Sequence, residues 1–442
     1  MLRALLMTED LISNQKETVF SRVNKRLTPE FMTSFFIMFI RASSLVIKFI
    51  LTLYIARYLG FEELGVYGLV AAACAMAPST LGMGLMYTLS RKAVTLTREE
   101  IVAELRFYFK CTLLIYVVLL ALAACFGIIS QQLFFVLAAF VIVFLEHLNG
   151  DIYTLLLNLS KPLSANLLHF VRSSVWMLAF MGAAFFIPSM RDINTIFMFW
   201  IVGSLISLFC FFWIKRSWPV SDEKEERTVK AWFLNEFSEA KIAYITNCSR
   251  TISQYLNHFL VTIFLGIELT GVYVFFMQAI AAMTNLLQTG IIQIARPKLV
   301  LSYKEQNYQD YGLVYKKCMR DTLIIATIMA FCAMPIMYVL VHYVVDKPLA
   351  VEWLPIFGFL LALFVIANIS EINKLIFYSQ HRDDLMFYMF IVLFPFIIIL
   401  QVLLIYFFGL WGMVVASFLV TIMGLLIQYK YLKRIFFDKI ST

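Results

Sequence analysis

Charged residues are scarce in this sequence of 442 residues: Asp, Glu, Lys and Arg make up 14% of it, and hydrophobic residues make up 62%. Soluble domains carry about 25% charged residues, so a soluble protein of this length is excluded. The mean hydropathy of +0.84 agrees with this conclusion. The chain also lacks a long polar segment that would form a soluble domain. Lipid is therefore the expected environment for most of it.

Motifs that bind nucleotides or metals are missing as well. The sequence has no P-loop and no glycine-rich phosphate cradle, and its seven cysteines include no CxxC pair. No group of His and Cys residues has the spacing of metal ligands. We therefore expect no cofactor, no metal and no catalytic residue, and we expect that the chain does not use ATP directly.

Twelve apolar stretches reach the length of about 20 residues that a membrane-spanning helix needs. They lie at 31–56, 66–89, 108–129, 133–157, 165–187, 196–214, 242–264, 272–294, 322–344, 354–377, 385–407 and 411–429. They predict an all-α polytopic membrane protein with about twelve transmembrane helices in two parallel six-helix lobes. The predicted divisions are a cytoplasmic N-terminal tail at 1–30, a lobe at 31–214, a cytoplasmic linker at 215–241, a lobe at 242–429 and a cytoplasmic tail at 430–442.

The placement of the basic residues predicts the orientation in the membrane. If both termini are cytoplasmic, 28 of the 36 Lys and Arg residues fall in inner segments, and only Arg57, Arg191 and Lys347 fall in outer ones. This asymmetry follows the positive-inside rule. The net charge of +8 therefore reflects topology and anionic lipid headgroups, and no nucleic-acid partner is expected. The other five basic residues lie inside predicted spans: Arg41, Lys48, Arg172, Arg250 and Lys374.

An internal repeat links the two halves of the chain. Residues 58–67 read YLGFEELGVY and residues 264–273 read FLGIELTGVY, with six identical positions at an offset of 206. Both copies fall in the outer turn between the first two spans of a half, which indicates a parallel duplication. Such repeats are typical of transporters, whose substrate site lies between the halves. The repeated glycines suit a tight turn.

The segment ARYLGFEELGVYGL, the two parallel halves and the basic residues in span 1 resemble the polysaccharide (Wzx-type) branch of the multidrug/oligosaccharidyl-lipid/polysaccharide exporter superfamily. The resemblance implies a flippase that moves an undecaprenyl-pyrophosphate-linked oligosaccharide, such as an O-antigen repeat unit, to the outer leaflet by alternating access. It also implies a bacterial inner-membrane location with both termini cytoplasmic. The implied partners are the lipid-linked oligosaccharide, membrane lipids and other polysaccharide assembly proteins.

Two basic residues in span 1 are candidate ligands for the pyrophosphate. Arg41 and Lys48 are seven residues apart, which places them on one helix face about 10.5 Å apart along the axis. A charge at this depth costs at least about 2.5 kcal/mol, so each is a candidate functional residue. Two cations without a carboxylate in the same span favour a water-filled cavity that accepts an anion.

Polar residues in three other spans complete the predicted substrate site. Asn247, Arg250 and Gln254 follow one face of span 7, and Asn285 and Lys374 lie in spans 8 and 10. The cations would bind the pyrophosphate and the amides would bind sugar hydroxyls. Polar packing between helices is the alternative interpretation.

A second set of ionisable residues suggests ion coupling. It consists of Glu146, His147, Asp151, His169, Arg172 and Glu371. Carboxylates and imidazoles at membrane depth form proton relays. The alternative is a set of structural ion pairs, in which Arg172 pairs with Asp151 or Glu146, and Glu371 pairs with Lys374. The sequence leaves both interpretations open.

Two other functions compete with a flippase. A multidrug exporter of the same superfamily usually takes cationic substrates, for which the basic residues in spans 1 and 7 are unsuited. Polysaccharide polymerases and ligases resemble one another in having a large outer loop that carries catalytic arginines and a histidine. The outer loops here are short and hold three basic residues in all. We therefore do not expect an enzyme.

Overall fold

The computed structural model describes residues 29–216, 218 and 227–433, and in these ranges the regular structure is entirely helical. Nine helices of this part are long and apolar enough to cross a membrane, or ten if a bent pair counts as one span. The prediction of an all-α polytopic membrane protein is confirmed. Residues 1–28 and 434–442, which make up most of the predicted tails, lie outside the described residues, as do 217 and 219–226 of the predicted linker.

The first half contains eight helices. They are α1 (Pro29–Tyr58), α2 (Phe61–Thr80), α3 (Leu85–Lys92), α4 (Arg98–Ile129), α5 (Leu133–Asn158), α6 (Pro162–Phe170), α7 (Trp176–Phe186) and α8 (Ile193–Lys215). A π-helical turn at Val171–Val175 joins α6 to α7 within one span. The helices α2 and α3 form the bent pair, with an angle of 60° between them.

The described part of the second half contains seven further helices. They are α9 (Val229–Leu265), α10 (Ile267–Leu287), α11 (Gln293–Lys304), α12 (Tyr308–Val339), α13 (Pro348–Glu352), α14 (Leu354–Ser379) and α15 (Asp383–Leu432). Further π-helical turns lie at Gln288–Ile292, between α10 and α11, and at Leu340–Val345, after α12.

Two features account for the difference between nine or ten spans and the predicted twelve. Helix α9 contains too many polar residues to be counted among the helices that are apolar enough to cross a membrane. The 50-residue α15 counts once, although Gly409 has non-helical angles (φ 58°, ψ −140°) and divides it between predicted spans 11 and 12. Counting α9 and both parts of α15 gives the twelve predicted segments in the described part of the chain.

The internal repeat adopts the same backbone in both halves. Gly60 precedes α2 with φ 109° and ψ 176°, and Gly266 precedes α10 with φ 91° and ψ 170°. Glycine alone adopts this region readily. The expectation that these glycines serve a turn is confirmed for this pair.

A second pair of repeated glycines holds the two halves together. Gly65 lies against the backbone of α10, where an added methyl group would overlap the carbonyl oxygen of Ile267. Gly271 lies against α2, where an added methyl group would overlap the carbonyl oxygen of Phe61. Each glycine thus touches the start of the opposite repeat. We call this pair of backbone contacts the outer contact, because it joins the ends of the bundle that carry the predicted outer turns.

Other groups at this end of the bundle also bridge neighbouring segments. Arg57 donates a hydrogen bond of 2.7 Å from Nη1 to the carbonyl oxygen of Val344 in the second half. The guanidinium of Arg191 lies 4.6 Å from the centre of the Tyr58 ring. The basic residues predicted to be outside therefore gather at one end of the molecule. Their side of the membrane remains a prediction.

At the opposite end, the start of α9 docks onto the first half. Thr228 caps the helix by accepting from the amide of Ala231, so α9 begins inside the predicted linker. Trp232, Glu236 and Ala240 are buried at a spacing of four residues. This amphipathic start explains why hydropathy alone placed the span at 242. The predicted domain boundaries otherwise remain a prediction.

Polar contacts fix this docked segment. Glu104 of α4 accepts from Nε1 of Trp232 at 2.5 Å and from Arg227 at 2.8 Å. Lys92 of α3 lies 2.6 Å from a carboxylate oxygen of Glu236. Because Glu104 and Glu236 are buried, losing either partner would leave a carboxylate without compensation. The start of α9 is therefore firmly attached to α3 and α4.

The outer contact gives a matched test of packing. Gly65→Ala or Gly271→Ala should destabilise the protein by about 1–3 kcal/mol, because the methyl group overlaps a backbone carbonyl. Gly182→Ala and Gly358→Ala are the controls, since nothing lies within 4 Å of a methyl group added there. The controls should be neutral or slightly stabilising, because alanine favours helix. Thermal unfolding in detergent measures the difference, and equal midpoints in all four variants would refute close packing at Gly65 and Gly271.

Candidate functional site

Five of the ionisable residues predicted from the sequence lie together in the first half. Arg41 and Lys48 come from α1, Glu146 from α5, and His169 and Arg172 from α6 and the π-helical turn that follows it. We call these five residues the charged cluster. The sequence predicted their individual importance but divided them between a substrate site and a coupling site.

The ion pair at the centre of the cluster joins Arg172 to Glu146. Nε of Arg172 lies 3.4 Å from Oε2 of Glu146, and both side chains are about one-eighth exposed. Arg172 also donates from Nη2 to Nδ1 of His169 at 3.3 Å. Because arginine cannot accept a hydrogen bond, Nδ1 of His169 carries no proton in this arrangement. Of the two partners considered for Arg172, the structure shows Glu146.

The π-helical turn at Val171–Val175 contains Arg172 and therefore sets its direction. Such a turn inserts a residue into the helical register and is common at functional sites. The other carboxylate oxygen of Glu146 accepts from Nε1 of Trp200 at 3.1 Å and from Oγ of Ser204 at 2.9 Å. The carboxylate is held by α8 on one side and by Arg172 on the other.

Arg41 is oriented by two neutral groups. It donates from Nε to the amide oxygen of Asn166 at 2.8 Å and from Nη2 to the hydroxyl of Tyr153 at 2.6 Å. Neither partner carries a charge, so the guanidinium keeps its full positive charge. Its remaining donors are available to a ligand.

Lys48 has no hydrogen bond and no ion pair with any described residue. It is close enough to Glu146 and Arg172 to interact with them electrostatically. It also interacts in this way with His258 of α9, which belongs to the second half. The charged cluster therefore extends from the interior of the first half to the boundary between the halves.

The balance of charge in the cluster is positive. Arg41, Lys48 and Arg172 are basic, and Glu146 is the one carboxylate among the described residues that interacts with Lys48 and Arg172. An uncompensated cation in a low-dielectric interior is costly, so the arrangement favours an anion that supplies the missing negative charge.

The predicted residues of the second half are more exposed. Arg250 and Gln254 are exposed, Asn247 is half-buried, and Arg250 has no ion pair with a described residue. Asn285 is exposed and donates to the carbonyl oxygen of Ala281 in its own helix at 2.8 Å. The structure does not bring these residues into contact with the charged cluster, so their role in binding remains a prediction.

The remaining predicted residues form separate pairs. Lys374 lies 2.6 Å from Glu371 on α14, with both side chains exposed, so the structure shows the pairing alternative for span 10. Asp151 faces away from the charged cluster. It accepts from the hydroxyl of Tyr108, and one oxygen lies 2.9 Å from Nε2 of His147.

A cleft of about 450 Å³ opens at the outer end beside the outer contact. Its polar lining consists of Glu62, Glu63, Gln132 and Asn194. The charged cluster contributes nothing to this lining, so the acidic cleft and the charged cluster are separate sites.

Several residues of the site were missed by reasoning from sequence. Tyr153, Asn166, Trp200 and Ser204 orient the charged side chains, but tyrosine, tryptophan and serine are common in membrane helices for other reasons. His147 and Asp151 were both in the predicted coupling set, and their spacing of four residues places them on one helix face.

Comparison with known proteins supports the fold. No family model and no curated protein matches the sequence. A solved structure of the lipid II flippase MurJ in an inward closed conformation matches with a TM-score of 0.74 and 14% identity, over 90% of this chain and 87% of that one. An inward-facing multidrug resistance MATE family transporter of the MOP superfamily matches with a TM-score of 0.66 and 16% identity, over 88% and 95%. The chain has the fold of MOP superfamily transporters.

A third solved structure also matches. It is an outward-facing multidrug resistance MATE family transporter, with a TM-score of 0.56 and 14% identity, over 89% of this chain and 94% of that one.

The central ion pair gives a stability test. Glu146→Gln keeps the shape of the side chain but leaves Arg172 and Lys48 without a carboxylate, and breaking a buried pair in this way costs about 3–5 kcal/mol. The control is Glu371→Gln, which breaks an exposed pair worth about 0–1 kcal/mol. The midpoint of thermal unfolding in detergent should fall clearly for Glu146→Gln alone. Similar midpoints for both variants would contradict a buried pair.

Proposed function

We propose that the protein is a flippase for an undecaprenyl-pyrophosphate-linked oligosaccharide, which it moves from the cytoplasmic to the outer leaflet of a bacterial inner membrane. The observation that carries the proposal is the excess of basic side chains in the charged cluster. Both termini are proposed to be cytoplasmic. Membrane lipids and other polysaccharide assembly proteins are the proposed neighbours.

The chemistry of the cluster matches a pyrophosphate. Arg41 has free guanidinium donors and Lys48 has a free ammonium group, so both are available to phosphate oxygens. Arg172 is tied to Glu146, which keeps one cation from binding as strongly as the others. If all three basic side chains bound the anion without a competing carboxylate, the anion would dissociate slowly.

The membrane potential supports the direction of transport. Moving one negative charge outward across an inside-negative membrane releases about 2.3 kcal/mol per 100 mV. A pyrophosphate carries about two such charges, so the potential assists its export. The protein then has to lower the barrier in the hydrocarbon layer, which basic side chains near the boundary between the halves would do.

The sugar part of the substrate needs hydrogen-bonding groups without charge. Asn247 and Gln254 of α9 lie on the face that also carries Arg250, and they are partly or fully exposed. Amides suit this task because each has both donors and an acceptor. We propose that this face lines the route taken by the oligosaccharide.

A multidrug exporter is the second candidate, since MATE family transporters share the fold. A cationic drug would meet Arg41 and Lys48 without an available carboxylate, because Glu146 is already bonded to Arg172, Trp200 and Ser204. This charge balance favours an anionic substrate. The solved structures that resemble the chain are transporters, which agrees with a protein that is not an enzyme.

The test compares substrates in liposomes that contain the purified protein. The probes are a fluorescent undecaprenyl-pyrophosphate disaccharide and the cation ethidium. The protein should flip the lipid probe, and Arg41→Ala or Lys48→Gln should slow flipping about tenfold or more, because a hydrogen bond to a charged group is worth about 1.5–3 kcal/mol. Lys430→Ala is the control, since Lys430 is exposed at the end of α15 and far along the chain from the cluster.

Two outcomes would contradict the proposal. Transport of ethidium without flipping of the lipid probe would show a multidrug exporter. Normal flipping by both Arg41→Ala and Lys48→Gln would show that the charged cluster does not bind the substrate. A parallel experiment in the host asks whether deletion causes lipid-linked oligosaccharide to accumulate on the cytoplasmic side or instead makes the cells sensitive to drugs.

A further inference from the structure

A buried polar group separate from the charged cluster lies between α4 and α5. His147 is fully buried and Asp151 is 5% exposed. Nδ1 of His147 is hydrogen-bonded to the hydroxyl of Tyr116 at 2.9 Å, and Tyr108 donates to the carboxylate of Asp151. We call His147 and Asp151 the His–Asp pair. The proposed binding of an anion makes no use of it.

The contact within the pair is incomplete. Nε2 of His147 lies 2.9 Å from Oδ2 of Asp151, yet this buried nitrogen makes no hydrogen bond. Buried polar atoms are nearly always satisfied, so an exception calls for an explanation. A nitrogen this close to a carboxylate forms a strong bond when it carries a proton and is directed at the oxygen. The geometry leaves this bond unmade.

The pair touches the break between α2 and α3. A methyl group added at Gly82 would lie 3.0 Å from Nε2 of His147, so the backbone at the break packs directly on the imidazole. Met83 and Gly84, with φ of 47° and 72°, occupy the left-handed region. Such strain persists only where the surroundings hold it. A change in the His–Asp pair would therefore act directly on the break.

The other side of the break touches α9. The carbonyl oxygen of Thr80 accepts from the hydroxyl of Tyr244 at 3.0 Å, and Ser79 is hydrogen-bonded to Thr251 at 3.1 Å. Gly84 packs against Ala240. The break is therefore one of the places at which the first half contacts the inner part of α9, together with α3 and α4.

We propose that the His–Asp pair is a proton-binding site, and that its occupancy sets the geometry of the break and with it the contact of α9 with the first half. Its use in driving transport rests on the proposed function, with protons moving inward as the substrate moves outward. The proton adds to the His–Asp pair and leaves from it, so no other reactant is needed.

Few other titratable groups face the pair. Tyr108 and Tyr116 come from α4, and Cys74 of α2 interacts electrostatically with Tyr116. Gly82 contributes only backbone. Glu146 lies five residues from Asp151 on α5, which turns it away by about 140° at 3.6 residues per turn. In the described part of the chain, the His–Asp pair has no other ion partner, so the proton changes the net charge of the pair.

The test measures the distance between the halves at the inner end. Genetically encoded spin labels replace Val94, after α3, and Leu301, on α11, which are 65% and 55% exposed. In the full-length protein the distance should differ between samples at about pH 5 and about pH 8, because binding of a proton changes the charge of the His–Asp pair. His147→Gln and Asp151→Asn should remove the change. His342→Gln is the control, because this histidine is stacked on Tyr338 at the outer end.

Each possible result of this experiment either supports or overturns the proton-binding site. A distance that does not depend on pH, or a pH response that persists in His147→Gln, overturns the proposal. The same holds if His169→Gln removes the response and His147→Gln does not. If the substitutions at His147 and Asp151 prevent folding, Tyr116→Phe decides. It keeps the ring and removes the hydroxyl on Nδ1, so a shifted midpoint supports the site and an unchanged midpoint overturns it.

This experiment needs no lipid-linked substrate. A pH response without flipping of the lipid probe would leave the proton site in place and refute the proposed function. Flipping of the lipid probe without a pH response would support the proposed function and refute the proton site.

Discussion

The cost of a charge in the hydrocarbon layer is the constraint on which this structure depends. Without water, an ionisable side chain must find its partner within the protein. Helix α5 meets this requirement twice. Glu146 is compensated by Arg172 on one side, and Asp151 accepts from Tyr108 and lies beside His147 on another. Groups from α4, α8 and the π-helical turn at Val171–Val175 therefore converge on these two carboxylates.

The separation of the two groups has a functional meaning. If one carboxylate served both the anion and a proton, binding of the first would change the affinity for the second directly. Here the groups lie on different faces of α5 and contact different neighbours: the charged cluster contacts α1, α8 and the π-helical turn, and the His–Asp pair contacts α4 and the break after α2. Any coupling between them has to pass through movement of helices, as alternating access requires.

Much of this architecture could be predicted from sequence, because the membrane imposes simple rules. Apolar length gave the spans, and the match between residues 58–67 and 264–273 gave the duplication that the glycines at positions 60 and 266 confirm. The bounds of α9 could not be predicted in this way. Its start is amphipathic and is fixed by the long-range contact between Trp232 and Glu104.

The partners of individual charges were also beyond the sequence. Arg172 had two carboxylates within reach, and its direction depends on a π-helical turn that no local pattern signals. Tyr108 and Tyr116 look like ordinary aromatic residues of a membrane helix, and only the packing of α4 on α5 brings their hydroxyls to Asp151 and His147. Pairwise contacts between helices decide such details, and they are not encoded by periodicity.

The outer contact has a consequence for how the transporter opens. At Gly65 and Gly271 the two helices meet backbone to backbone, without side chains between them. This contact cannot open by the rotation of a side chain, because no side chain lies between the two backbones at these positions. It parts only when whole helices separate. A transporter built in this way opens by the movement of whole helices and closes again when the two backbones meet.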